Sequence, residues 1–350
     1  MFSYDQLALP VVGAPMAGGP TTPELVAAVS NAGGLGMLAA GYYSPEQIEA
    51  DVLAVRALTD KPFGVNLFSP TEPDENPEDA EALLQQYREA LAPVGEQFGL
   101  DLLNYELDIP DYYQANVDWL VENPVPVVTF TFGCPTIETI KRLQNVGTFV
   151  GVTVTKVADA EFSVSRGVDF LAVQGPEAGG HQSTFRVQDS VNELALDELV
   201  PAIQQVCELP LVVGGGVGNS NDVARLLRLG AVAVQIGTLL LLCEEAGTNE
   251  AYRKALQNPA YSETRITRAF TGRPARALVN DFVDRFDNIA PAIYPHPHYL
   301  TAPLRASAKK AEYESLINLW SGTGLKNPKE TSIIEIMSRL FYTKSNRDEK

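Results

Sequence analysis

The sequence predicts an α/β protein built on a (β/α)8 barrel of the TIM type, with a helical insertion and a C-terminal helical cap. Three observations predict it. Eight short apolar segments recur within the first 243 residues. Most are continuous apolar runs without alternation, as in parallel strands buried on both faces. Helix-like stretches lie between them. Periodicity alone also admits a doubly wound sheet.

In chain order the strand segments are "PVVGAPMAG" (10–18), "GLGMLAAG" (34–41), "PFGVNLF" (62–68), "PVVTFTFG" (126–133), "TFVGVTV" (148–154), "DFLAVQG" (169–175), "LPLVVGGG" (209–216) and "AVAVQIGT" (231–238). After the second comes "YSPEQIEADVLAVRAL", with Ser44 as N-cap, Pro45 at the first helical position and Gln47 closing a capping box. Ile48, Val52 and Val55 then repeat on one helix face. "SNDVARLLRLG" starts a helix at Asn219 or Ser220 and stops it at Gly230.

Two segments fall outside the repeat. Residues 69–124 carry an acidic, proline-marked insertion whose helix is expected from Asn76-Pro77, with Glu78 and Asp79 at its positive end and its charges on a solvated face. Residues 244–335, after the barrel of residues 1–243, are long enough to cover the barrel mouth, and 336–350 read as a tail that frays at "KSNRDEK".

A formal charge of −18 over 350 residues argues against nucleic acid or an anionic membrane as partner. No apolar run reaches the ~18 residues a membrane helix needs. The start "MFSYDQLALP" lacks the basic region and apolar core of a secretory signal, which points to the cytoplasm. Cys134, Cys207 and Cys243 are too few and too irregularly spaced for a disulfide framework, so reduced thiols are expected.

The chemistry concentrates at strand ends. "VVGGGVGNSNDVARLL" places glycines between a buried strand and a helix start, where free backbone amides stabilise an anion. Gly237 and Thr238 end the next strand and extend that cup, as phosphate sites after strands 7 and 8 do in barrels. A dinucleotide fingerprint fits worse, because Asn219 stands where its third glycine belongs and no acidic ribose ligand follows; a mononucleotide is favoured. Asn66, Gln174 and Gln235 add three strand-end amides that can donate and accept against a flavin edge.

His181, in "VQGPEAGGHQSTF", follows the sixth strand through a glycine pair. An ordinary imidazole pKa of ~6.5 suits a general base. His296 and His298 in "YPHPHYL" read as a structured loop, since two ligands without a third make no metal site, and none is predicted. Cys134 reads as structural, and Arg273 and Arg276 in "TGRPARAL" as residues that dock a cover on the barrel.

At these residues the sequence resembles the nitronate monooxygenase family, formerly the 2-nitropropane dioxygenases. The matching pieces are "VVGAPMAGGPTTPELVAAVSNAGGLGMLAAG", "PFGVNLF", "VQGPEAGGH", "LPLVVGGGV", "AVAVQIGT" and the closing "YP…LTAPLR…LWSGTG", in family order along nearly the whole chain. The resemblance implies an FMN-dependent barrel enzyme that oxidises nitronates, and nitroalkanes, with O2. It implies FMN contacts from Met16, Asn66, Gln174 and Gly179, a phosphate end held by Gly216, Gln235, Ile236, Gly237 and Thr238, and catalysis at His181. Gln182 and Ser183 stand where the family often has arginine and glycine. The nearest rival is an FMN-dependent enoyl-thioester reductase using NAD(P)H, which resembles this chain in the barrel and in "EAGGH".

Overall fold

The structure is a computed structural model that describes residues 2–70, 76–325 and 329–341. The "KSNRDEK" tail and residues 71–75 of the acidic stretch lie outside the described residues. The predicted strands form in order: β1 (Val11–Gly13), β2 (Gly36–Ala39), β3 (Phe63–Phe68), β4 (Val127–Thr131), β5 (Phe149–Val154), β6 (Phe170–Gln174) and then, after the two-residue β7 (Gly180–His181), β8 (Leu211–Gly214) and β9 (Ala233–Ile236). All but β7 make one parallel sheet in the order β1-β9-β8-β6-β5-β4-β3-β2. A parallel bridge from Val12 to Leu35 brings its two ends together, with Leu35 N donating to Val11 O and Gly13 N to Leu35 O, each at 2.9 Å. The doubly wound alternative is thereby excluded.

Around the barrel run α1 (Pro23–Asn31) and α2 (Pro45–Leu58), the latter with the expected Ser44–Gln47 capping box and with Ile48, Val52 and Val55 buried. Between the strands and this ring of helices lies the main apolar core. At the bottom, Phe2 and Tyr4 join Phe149 and Phe170, whose rings stack at 5.2 Å. Gly151 makes that stack possible, because a Cβ there would lie 2.3 Å from the Phe170 ring. The N-terminal face is therefore plugged with aromatics, which leaves the strand C-terminal ends for a site.

The insertion differs in detail from its sequence reading. Its helix α3 (Ala80–Glu96) starts after Asp79, three residues later than Asn76-Pro77, and Asp79 makes no side-chain cap. Glu78, Asp79 and Glu81 are exposed, yet Tyr87, Leu91 and Val94 on the other face are buried in a second core built with the C-terminal segment. Farther along, α4 (Tyr113–Glu122) packs against α2 and against α5 (Ile137–Asn145) in the barrel's own ring. Next come α6 (Val157–Arg166), α7 (Leu196–Gln204) and α8 (Ser220–Arg228), which ends before Gly230 at φ +97°.

The C-terminal cover is not wholly helical. Besides α9 (Glu250–Gln257), α10 (Asp281–Phe286) and α11 (His296–Lys310), it holds β10 (Thr264–Thr267) and β11 (Ala275–Leu278). β11 lies between β10 and β7 in an antiparallel sheet, pairing Ala275 with His181 and Arg276 with Gly180. The loop after β6 is thus an edge strand of the cover. The chain then returns to the barrel, where α12 (Ile333–Phe341) packs against α1 and α8 and buries Ile336, Met337 and Leu340.

Candidate active site

A cavity of about 330 Å³ opens at the C-terminal ends of the barrel strands and is covered by α11 and residues 318–324. The structure brings every sequence-predicted site residue to its wall: Met16 after β1, Asn66 in β3, Gln174 in β6, Gly179 and His181 beyond it, Gly216 after β8, and Gln235 through Thr238 at the end of β9. They come from six separate stretches of chain. A parallel barrel places such strand ends on one rim.

The three strand-end amides play different parts. Asn66 Nδ2 donates to Thr129 Oγ1 at 2.9 Å and to Thr131 Oγ1 at 3.0 Å. Gln174 is a clamp: its Nε2 donates to the His181 carbonyl at 2.9 Å, and its Oε1 accepts from Ser183 N at 2.8 Å. Only Gln235 lines the cavity with an amide that makes no hydrogen bond to the described residues. One of the three is therefore fully available to a ligand, and Gln174 serves the loop that carries His181.

At the glycine cup the residues lie where the sequence reading put them, and the donors are distributed unevenly along the turn. Two of the first amides of α8, those of Asn221 and Asp222, are already satisfied by the chain itself, as are those of Gly218 and Asn219 just before it. Asn219 Oδ1 accepts from the N–H groups of Asn221 and Asp222, and Asp222 Oδ2 accepts from those of Gly218 and Asn219. Free donors lie one turn earlier, at Gly215, Gly216 and Val217, whose amides bond to no described residue. Gly215 at φ +137° and Gly216 at φ +67° hold backbone conformations that favour glycine.

The closing segment seals this cup. Thr323 N donates to the Glu177 carbonyl at 3.1 Å and Gly322 N to Thr238 Oγ1 at 3.0 Å. Glycine is required at the seam. A Cβ on Gly218 would lie 2.1 Å from Gly324 O, and one on Gly179 would lie 2.5 Å from Gly322 N.

His181 is half-buried against the rings of Phe132 and Trp320, at 5.3 and 5.4 Å. Its Nε2 lies 2.8 Å from Thr271 Oγ1, which also lies 3.3 Å from the Arg273 carbonyl. A hydroxyl has one proton. Both contacts are satisfied only if Nε2–H donates to Thr271 and Thr271 donates to Arg273, which leaves the Nδ1 lone pair for a ligand. Burial, and then the positive charges of Arg273 and Arg305, push the imidazole down to about 3. The unperturbed value that recommended a base is overturned, and His181 is a neutral imidazole throughout the physiological range.

Several lining residues escaped sequence reasoning: Tyr42, Phe132, Thr271, His298, Arg305 and Trp320. Tyr42 and Phe132 follow β2 and β4, so strand-end position was a usable signal. His298 lies in the first turn of α11, not in a loop, and stacks on Tyr42 at 4.2 Å and 8°. Arg273, wholly buried, sits 4.3 Å over the Phe132 ring and donates to Thr184 O; Arg276 Nε donates to Pro176 O at 2.8 Å. Both dock the cover, as expected. Cys134 stays off the cavity wall, and burial pushes its thiol up to about 11, well away from the thiolate form.

A family model described as nitronate monooxygenase matches residues 4–342. The chain belongs to the nitronate monooxygenase family. It is an oxidoreductase of the kind that acts on nitronates or nitroalkanes. A probable nitronate monooxygenase of Bacillus subtilis (strain 168) is 30% identical over 337 residues, covering 95% of each chain. One of Staphylococcus aureus (strain Newman) is 33% identical over 341 residues, covering 95% of this chain and 94% of the relative.

Among solved structures, nitroalkane oxidase from Streptomyces ansochromogenes superimposes with a TM-score of 0.89 at 38% identity, over 96% of this chain and 95% of the other. FabK from Thermotoga maritima reaches 0.72 at 24% identity, over 96% and 93%, a likeness of fold alone. Against the resemblance drawn from the sequence, Gln182 and Ser183 prove to be buried braces. Gln182 Nε2 donates to Ala178 O, while Ser183 Oγ donates to Thr153 O and accepts from Phe132 N. No helix among the described residues is long and apolar enough to cross a membrane.

Proposed function

We propose that this chain is an FMN-dependent enzyme that oxidises alkyl nitronates with O2 to a carbonyl compound and nitrite, detoxifying nitro compounds in the cytoplasm. Parent nitroalkanes are substrates to the extent that the site removes their α-proton. The observation that carries the reading is the meeting, on one cavity wall, of three unbonded backbone amides in the glycine turn and a histidine.

The residues fit the phosphate end of a mononucleotide. Gly215, Gly216 and Val217 offer unbonded amides and line the cavity, and a Cβ on Gly216 would crowd Glu177 at 3.0 Å. In this reading Gly216, Gln235, Ile236, Gly237 and Thr238 hold the phosphate end, and Met16, Asn66, Gln174 and Gly179 border the ring. FMN, when bound, supplies the electron-accepting chemistry.

The chain's own residues do the rest. His181 presents Nδ1 to the substrate, with its proton parked on Nε2 by Thr271. Phe132 and Trp320 flank it and exclude water. A nitronate arrives already deprotonated, so a weakly basic imidazole suffices to orient it. Neutral nitroalkanes demand that the same atom accept a proton.

An anaerobic absorbance titration of the purified protein with propionate 3-nitronate, then NADH, tests the reading. Bleaching of a bound yellow chromophore by the nitronate, and nitrite on admitting air, is expected. Bleaching by NADH alone would transfer the chain to the second reading, an FMN-dependent enoyl-thioester reductase. A colourless protein would remove the flavin site.

A further inference from the structure

Arg305, on α11, lines the cavity although it is only 8% exposed. Its Nε donates to Thr301 Oγ1 at 3.1 Å, Nη1 to Asn318 Oδ1 at 3.2 Å, and Nη2 to the His298 carbonyl at 2.9 Å with His298 Nδ1 at 3.4 Å. All these acceptors are neutral. Among the described residues no carboxylate comes within 4.0 Å of the guanidinium. In a chain with a formal charge of −18, that is a choice of place.

A buried cation without an anion is costly, and proteins keep one where a partner arrives. Burial lowers this guanidinium only to about 10, so it is charged at neutral pH. Nη1 has two N–H groups and one assigned acceptor, so one donor is left over. Arg305 also belongs to α11 of the cover, whereas the positions that border the proposed cofactor belong to the barrel strand ends and loops of the same cavity. Its charge reaches His181, as the lowering of that imidazole shows.

We infer that Arg305 is the specificity-determining residue of the site, the cation that recognises the planar, negatively charged oxygens of a nitronate and distinguishes it from the neutral nitroalkane. A guanidinium fork matches a planar O–N–O group in shape as well as charge. The inference rests on the nitronate reading above, and its test is made separable from it by an unreactive probe.

Nitrate is that probe, a planar oxyanion that needs no turnover. Added to the flavin-loaded holoenzyme, it perturbs the flavin absorbance and competes with nitronate. In Arg305→Met, nitrate affinity falls about tenfold or more, KM for the nitronate rises comparably, and KM for neutral nitroethane changes less than about threefold. Arg305→Lys keeps the charge, loses the fork and falls between. Nitrate binding equal to wild type in Arg305→Met, or flavin lost from a folded Arg305→Met, overturns the inference. Should the Met variant fail to fold, unchanged nitrate affinity in Arg305→Lys overturns it equally. Arg305-dependent nitrate binding without nitronate turnover would sink the proposed reaction and leave the anion site standing.

Discussion

Replacing Thr271 by valine removes one oxygen from the hydrogen-bonded chain that sets the His181 tautomer. Thr271 is 1% exposed, and valine has nearly its shape, so no large cavity opens. Two contacts disappear: the one at 2.8 Å to His181 Nε2 and the one at 3.3 Å to the Arg273 carbonyl. Each leaves a buried polar group unpaired, at about 1–3 kcal/mol. Where that cost falls on the geometry of His181, one such term lowers kcat by roughly 5- to 140-fold, at about 1.4 kcal/mol per tenfold. Valine no longer favours Nε2–H, so the tautomers mix. Steady-state kinetics with a nitronate and ¹⁵N spectra of the imidazoles are the assay, and with only three histidines the spectrum is assignable. Thr271→Ser restores both readouts. A Thr271→Val protein with kcat within about twofold of wild type and His181 still protonated at Nε2 would refute the argument.

Two further outcomes follow from the same geometry. Because His181 is held near 3 when folded and lies near ~6.5 when unfolded, the unfolded state binds more protons between those values, and stability falls as pH drops through that window. Urea midpoints at pH 4.5 and 7.5 should therefore differ less in His181→Asn than in wild type, and identical differences would contradict the shift. Gly218→Ala puts a methyl group 2.1 Å from Gly324 O, a backbone atom that cannot turn aside, so the closing segment must lift from the cup. Overpacking of about 1–3 kcal/mol and faster flavin release are expected, measured by thermal shift and flavin fluorescence; unaltered retention would show that the seam does not guard the cofactor.

The barrel was legible because each strand is a short apolar run and two of the helices between β1 and β9 carry readable caps, at Ser44-Pro45 and Asn219. The cover was not. β7 has two residues, and its pairing with β11 joins positions nearly a hundred residues apart, which no local pattern announces. Three prolines around "YPHPHYLTAPL" disguised α11. Pro295 precedes the helix and Pro297 sits in its first turn, where a missing N–H costs nothing, and Pro303 is tolerated farther in. Hidden with that helix were His298 and Arg305. α12 was the more recoverable miss, since Ile333, Ile336, Met337 and Leu340 carry a plain helical period.

These two halves meet at one residue. The carbonyl of His181 accepts from Gln174, which belongs to barrel strand β6, while its backbone pairs with Ala275 of the cover and its ring bonds to Thr271 of the cover. Cofactor-binding positions, as proposed, lie on the barrel; the cation and most of the aromatic wall lie on the cover or face it. His181 is fixed to both. A displacement of the cover therefore moves the imidazole relative to β6, and weakening the Gln174 clamp frees the same loop from the other side. Reaction geometry in this fold depends on the β7–β11 pairing as much as on the barrel, so substitutions at Ala275 or Pro274, whose carbonyl accepts from Gln182 N at 2.8 Å, act on catalysis without touching the cavity.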